Sequence, residues 1–145
     1  MFPANVRPKM RYLKDEALVL VARPWRESSL ILDLFTARHG KLGLVSKGVR
    51  RLKSYIGAYH RTGALVEVIW LPSLHSSLQT LVAVDPISLF TMPQEWRRWC
   101  IAVRLLTLAN ATLPPAVPHS AGFHQLFRTL TALPRIAEPE LLEWQ

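Results

Sequence analysis

Up to Pro86 the apolar residues of this chain tend to recur at every second position; beyond it they recur at every third or fourth. "EALVLVARP" (16–24) is a β-branched, Leu-rich run closed by Pro24. "SSLILDLFT" (28–36) puts Leu30, Leu32 and Leu34 on one face and Ile31, Asp33 and Phe35 on the other. "ARHG" (37–40) is a turn with Gly40 as its flexible residue, so 28–36 and 41–46 are expected to form a hairpin. "KLGLVSKG" (41–48) places Leu42, Leu44 and Ser46 on one face, and "ALVEVIWL" (64–71) and "SLQTLVAV" (77–84) are two further strands joined by "PSLHS". Five short strands with no helical pattern among them suggest a small closed or partly closed barrel, because closure removes exposed strand edges. An open five-stranded sandwich is the rival. Asp33 is expected to face solvent, and His39 is expected to be a turn residue.

Beyond Pro86, "TMPQEWRRWCIAVRLLTLANATL" (91–113) carries Trp96, Trp99, Cys100, Val103, Leu106 and Leu113 at helical spacings. This predicts an amphipathic helix with Pro93 in its first turn and Pro114 as its stop. "LPPAVPHSAG" reads as a linker-like turn. "FHQLFRTLTAL" (123–133) repeats the helical pattern, and "PELLEWQ" (139–145) begins a third helix that is marginal by itself. The expectation is a barrel domain over 1–85 and an α-helical C-terminal part over 86–145. That part would continue beyond this chain, or pack its last turn on a partner. Met10 serves as well as Met1 for a start.

Half of the residues are apolar and 19% are charged, enough apolar surface for a core. The net charge of +8 is unevenly placed. Residues 1–62 hold 13 Lys and Arg against 4 Asp and Glu, a net of +9, and residues 63–145 hold 5 against 6, a net of −1. Such asymmetry points to a polyanionic partner. The densest stretch is "KGVRRLKSYIGAY" (47–59), with Lys47, Arg50, Arg51 and Lys53 uninterrupted by an acid. These cations supply phosphate-binding charge, Gly48 and Gly57 permit close backbone approach, and Tyr55, Tyr59, Trp25 and Tyr12 offer stacking faces. Five strands, a positive groove and aromatics are the equipment of an OB-fold that holds oligonucleotides.

Little in the chain supports an enzyme. Cys100 is the single cysteine, which makes no internal disulfide and no Cys-rich zinc site; it is expected to be a buried small hydrophobe. The histidines at 39, 60, 75, 119 and 124 are scattered, with no carboxylate at metal-ligand spacing. No phosphate loop occurs, and Ser28 and Ser29 lack a nucleophile elbow. No catalytic residue, cofactor or metal is expected. No run approaches the roughly 18–20 apolar residues of a membrane span, and no signal-like stretch follows the N-terminus, which suggests a cytoplasmic protein without a membrane partner.

The stretch "DEALVLVARPWRESSLILDLFTARHGKLGLVSKGVRRLKS" (15–54) resembles the N-terminal OB domain of the bacterial recombination mediator RecO family. The matching elements are "ESSLILDLFT", the "HG" turn and "KGVRRLKS" leading into "GA"; the likeness is strong over about 15–85 and looser in the helices. It implies a protein of the bacterial cytoplasm, associated with the nucleoid, that binds single- and double-stranded DNA and anneals complementary strands. With RecR it would help load the recombinase RecA onto strands covered by single-strand DNA-binding protein. It also places Lys47, Arg50, Arg51 and Lys53 on the DNA side of the barrel, with Lys41 and Arg38 as secondary contacts and Tyr55 beside them. The chain departs from the family pattern at Arg26, where glycine is common. It also lacks a four-cysteine zinc module and the later helices, which bears on contacts with RecR and with single-strand DNA-binding protein. Two further classes stand beside this one: an OB-fold RNA-binding protein, and an adaptor whose helices dock a protein while the basic surface serves solubility.

Overall fold

The computed structural model describes residues 11–48, 61–88, 93 and 95–136. Five strands, β1 (Leu13–Trp25), β2 (Ser29–Thr36), β3 (Gly40–Ser46), β4 (Leu65–Leu71) and β5 (Leu78–Ser88), close into a barrel in the order β1-β2-β3-β5-β4. All pairings are antiparallel except β3 with β5, which run parallel over Gly43–Leu78, Leu44–Gln79 and Val45–Thr80. Barrel closure rests on β1, which pairs with β2 from Ala17 to Trp25 and with β4 from Leu13 to Leu18. The closed barrel stands and the open sandwich is excluded.

Alternation along the strands feeds two cores. Ala17, Val19, Leu32, Leu34, Leu42, Leu44, Val66, Val68 and Trp70 fill the barrel interior. The opposite faces of the same strands contribute Leu18, Leu20, Phe35 and Leu65 to a second core shared with the helices. This explains the unbroken apolar run "ALVLV": β1 is buried on both faces, so it cannot alternate apolar with polar. Helix α1 (Trp96–Thr112) covers that outer face with Ile101, Ala102 and Leu106. Helix α2 (Ser120–Ala132) adds Phe123 and Leu130, and Phe123 meets Phe35 edge-on at 5.6 Å between ring centroids. A 3₁₀ turn over Leu133–Arg135 buries Leu133, and the Leu133 carbonyl accepts from the Arg98 guanidinium of α1.

Several expectations need correction. β1 does not stop at Pro24, which pairs with Leu30. The second half of β1 has no β4 partner, so a residue without an N–H is tolerated there. β5 likewise runs through Pro86 to Ser88, with a register irregularity at Leu65/Val66 beside it. α1 begins at Trp96, so Pro93 precedes the helix; the cap is Glu95, whose carboxylate accepts from the amides of Arg97 and Arg98. The expected apolar stripe of α1 was assigned to the wrong face. Its buried side is Ile101, Ala102 and Leu106 with Leu105, Ala109 and Leu113, whereas Trp96 and Trp99 are 70% and 40% exposed. They stack on each other at 5.6 Å and 15°. Cys100 is half-buried, not fully buried. The expected third helix, with Leu141, Leu142 and Trp144, lies outside the described residues.

The "linker" is a packed element. The Ala116 amide donates to the Lys41 carbonyl at 2.9 Å, and Pro115 bridges Lys41. The Val117 backbone lies against Gly40, where a Cβ would sit 2.6 Å from its carbonyl carbon and 2.7 Å from its nitrogen. Gly40 also has φ +75, so the position requires glycine twice over. Gly48 has φ +73 with open space around it. Gly48→Ala should therefore cost only the left-handed strain of about 1–2 kcal/mol. Gly40→Ala should cost clearly more and should speed amide exchange at Ala116. Urea melts of the two variants with exchange at Ala116 check this; equal costs would refute the docking of 115–117 on the barrel.

Candidate nucleic-acid interface

The two ends of the barrel differ. At one end, β1 begins and the β2–β3 turn (37–39) folds over it. Thr36 Oγ1 donates to the Gly40 carbonyl at 2.8 Å and accepts from the His39 amide at 2.9 Å, closing the turn. Asp15 is the hub. Its side chain is 1% exposed, and it accepts from the Arg38 amide (2.8 Å), the Arg38 Nε (3.3 Å), His39 Nδ1 (2.8 Å) and the Glu16 amide (2.8 Å). Burial alone would raise the Asp15 pKa. Hydrogen bonds from His39, from the Arg38 amide and guanidinium and from the Glu16 amide outweigh it and hold the carboxyl below the ordinary aspartate value. His39 in turn packs edge-on against the buried Trp70 at 5.1 Å. His39 is thus a turn residue, as expected, with a partner that its sequence position did not announce.

This end also takes up charge from the hairpin. Arg38 Nη2 donates to the Lys14 carbonyl at 3.1 Å, and Lys14 pairs with Glu67 at 3.0 Å. Lys41 Nζ donates to the Asn110 carbonyl of α1 at 2.7 Å. Asn110 Nδ2 donates to Asp33 Oδ2 at 3.3 Å, and Asp33 faces Arg23 at 3.7 Å. Asp33 therefore faces α1 with its side chain 18% exposed, correcting the expectation of a solvent-facing carboxylate. A cleft of about 400 Å³ opens here, lined by Lys14, Asp15, Glu16, Ala37, Arg38, Glu67, Ser120 and His124. Its three carboxylates make it a poor seat for a polyanion.

At the other end, β1 finishes at Trp25, the turn 26–28 follows, β2 starts at Ser29 and β3 finishes at Ser46. A second cleft of about 370 Å³ lies among Trp25, Arg26, Ser28, Ser29, Val45, Lys47 and Gly48. No acid lines it. Trp25 is 40% exposed, and the Arg26 guanidinium carbon stands 5.6 Å from the centroid of its ring. Arg26 has φ 52, the left-handed region that glycine occupies freely.

The candidate contacts are thus separated. Lys47 is exposed at the Trp25 end. Lys41 and Arg38 belong to the Asp15 end; six residues of β3 put Lys41 roughly 20 Å from Lys47. Tyr12 is 58% exposed but precedes β1, at the far end of that strand from Trp25. Arg50, Arg51, Lys53 and Tyr55, with Gly57 and Tyr59, lie outside the described residues. The cleft's aromatic wall and Arg26 carried little weight in the sequence. Arg26 standing where the family favours glycine was the available signal.

A five-stranded barrel with β1 shared between β2 and β4 and a parallel β3–β5 closure is the OB-fold of oligonucleotide-binding proteins. The family model described as "Recombination protein O N terminal" matches residues 10–90. The chain is 32% identical over 130 residues to the DNA repair protein RecO of Marinobacter nauticus, covering 90% of this chain and 52% of that protein. It is 34% identical over 126 residues to that of Vibrio parahaemolyticus (87% and 51%) and 30% identical over 138 residues to that of Erwinia tasmaniensis (90% and 54%). The chain belongs to the RecO family. It spans about half the length of the curated relatives it matches. Among the described residues, no helix is long and apolar enough to cross a membrane and no group of three metal-ligating side chains comes together.

Asp15 yields a pH prediction. Its lowered folded pKa means that its contribution is complete at neutral pH and is lost as pH falls through that folded value. Asp15→Asn should destabilise by about 1–3 kcal/mol at pH 7, because three or four donors lose a charged acceptor. The gap between wild type and variant should narrow once pH drops below the ordinary value of 3.8. Urea melts across acidic pH check this; a gap independent of pH would remove Asp15 from the acid response.

Proposed function

We propose that this chain is a DNA-binding module of recombinational DNA repair, holding the phosphate backbone along the Trp25 end of the barrel. Supporting this reading is the division of charge: Lys47 and Arg26 flank an acid-free cleft, while Arg38 and Lys41 at the opposite end are engaged by Asp15 and α1. The basic run Lys47–Lys53 continues from the last turn of that cleft in sequence. Membership of the RecO family makes DNA the polyanion of choice over RNA, and a comparison of DNA and RNA polymers in filter binding separates the two.

The finer steps follow from the family resemblance. The chain would bind single and double strands, anneal complementary strands and, with RecR, help load RecA onto strands held by single-strand DNA-binding protein. Annealing needs no catalytic group, because base pairing supplies the free energy; the protein has only to neutralise phosphates and hold strands close. No enzymatic activity is proposed. The outward Trp96–Trp99 pair, beside Arg97 and Arg104, is the apolar surface of the helical part that remains for a protein partner. A pull-down that survives high salt tests that contact.

If Lys47, Arg50, Arg51 and Lys53 each take one phosphate, log affinity for single strands should fall against log salt with a slope of roughly −3, from about −0.7 per phosphate. Changing Arg50, Arg51 and Lys53 together to Ala should weaken binding to all sequences alike and flatten the slope by about 2. Arg38→Ala and Lys41→Ala should leave the slope unchanged. An unchanged slope in the folded triple variant would reduce the basic run to a solvated surface.

A further inference from the structure

We propose that Trp25 is a stacking seat for one unpaired base, and that Arg26 covers the seat until a base takes it. This rests on the DNA-binding reading above and assigns that site a preference for exposed bases.

Three independent observations converge on the cleft. The first is the ring itself. Trp25 ends β1 at 40% exposure, whereas the other tryptophan of the barrel, Trp70, is 1% exposed and belongs to the interior. An indole so exposed beside a cleft is free to present a face. The second is the lining. Ser28 and Ser29 bring hydroxyls, Lys47 a cation, Gly48 a backbone without a side chain, and Val45 an apolar patch. That set suits a flat apolar heterocycle attached to an anionic backbone, and the absence of a lining carboxylate removes the obvious repulsion.

The third observation is Arg26. It holds φ 52, a conformation unfavourable for a residue with a Cβ, and its guanidinium stands over the Trp25 ring. Such an outlier at a cleft is the kind of strain that accompanies a binding site. The 5.6 Å between guanidinium carbon and ring centroid is too short to admit a base between them. A sandwiched base needs about twice the 3.4 Å stacking rise of a DNA strand. The guanidinium must therefore swing outward as the base arrives, and its charge then lies where the adjoining phosphate runs. Bases inside a duplex are already stacked on their neighbours, so the seat serves only single strands.

The experiment uses the full chain and three ligands of equal length: a thymidine oligomer, the same oligomer with abasic sites throughout, and a duplex. Trp25→Ala should weaken binding of the thymidine oligomer about 5- to 150-fold, the range that 1–3 kcal/mol of base–aromatic stacking corresponds to. It should leave the salt slope, the abasic oligomer and the duplex unchanged. Trp25→Phe should restore most of the lost affinity. Equal losses for all three ligands would overturn the proposal, since position 25 would then serve the fold or the phosphates. Wild-type affinity of Trp25→Ala for the thymidine oligomer would also overturn it while leaving DNA binding intact. Failure of the wild-type chain to bind any of the three ligands would remove the DNA-binding reading and this inference together.

Discussion

The structure depends on β1 being hydrogen-bonded along both edges and buried on both faces. Its first half zips to β4 and most of its length to β2, which closes the barrel. Its inward residues, Ala17 and Val19, complete the interior, and its outward residues, Leu18 and Leu20, found the core beneath the helices. Each fully buried aliphatic side chain contributes about 1.5–3 kcal/mol, so this one strand supports both layers. The helices have no comparable core of their own: Ile101, Ala102, Leu106 and Phe123 are buried because the barrel's outer face is apolar. A change that shifts β1 by one residue would turn both cores inside out.

That arrangement separates the ends of the barrel by task. The Asp15 end is sewn shut by a buried carboxylate, by Thr36 and by Ser120, whose hydroxyl reaches the Ala37 carbonyl at 2.7 Å. Rigid hydrogen bonding there fixes where β1 starts and how the hairpin turns. The Trp25 end, beyond the reach of β4, is spared those constraints and keeps its aromatic and cationic groups in contact with solvent. The positive excess of residues 1–62 therefore does not act as one patch. Part of it is spent on internal pairing, and the part near Lys47 remains available to a ligand.

The barrel was legible because its signals are local. Alternation over Leu30–Phe35 identified both faces of β2 correctly, and five short strands without a helical period left few closed topologies. Strand ends were less legible, since Pro24 and Pro86 break strands only where a ladder needs their N–H. The face of α1 was misassigned for a physical reason: apolar residues occupy both sides of it. Trp96, Trp99, Cys100 and Val103 repeat as regularly as Ile101, Leu105 and Ala109, and spacing cannot say which row meets the barrel. The Asp15 hub and the Trp25 cleft join residues distant in sequence, so no local pattern could have revealed them. The family likeness located the basic run, but the engagement of Lys41 and Arg38 is visible only in three dimensions.

The segment between the two helices looks, by its prolines and its exposure, like the part of the chain most open to rewriting. Its backbone says otherwise. Ala116 is bonded to β3, Val117 rests on a glycine that admits no other side chain, and His119 immediately caps α2 by accepting from the Gly122 amide. Tolerance to added or deleted residues follows such backbone ties more than surface position. Length is therefore the quantity under constraint here: one residue more or fewer would move the capping histidine off its helix or lift the chain from the barrel. A tag or inserted module placed in this connection would disturb the fold in a way that many substitutions of its exposed side chains would not.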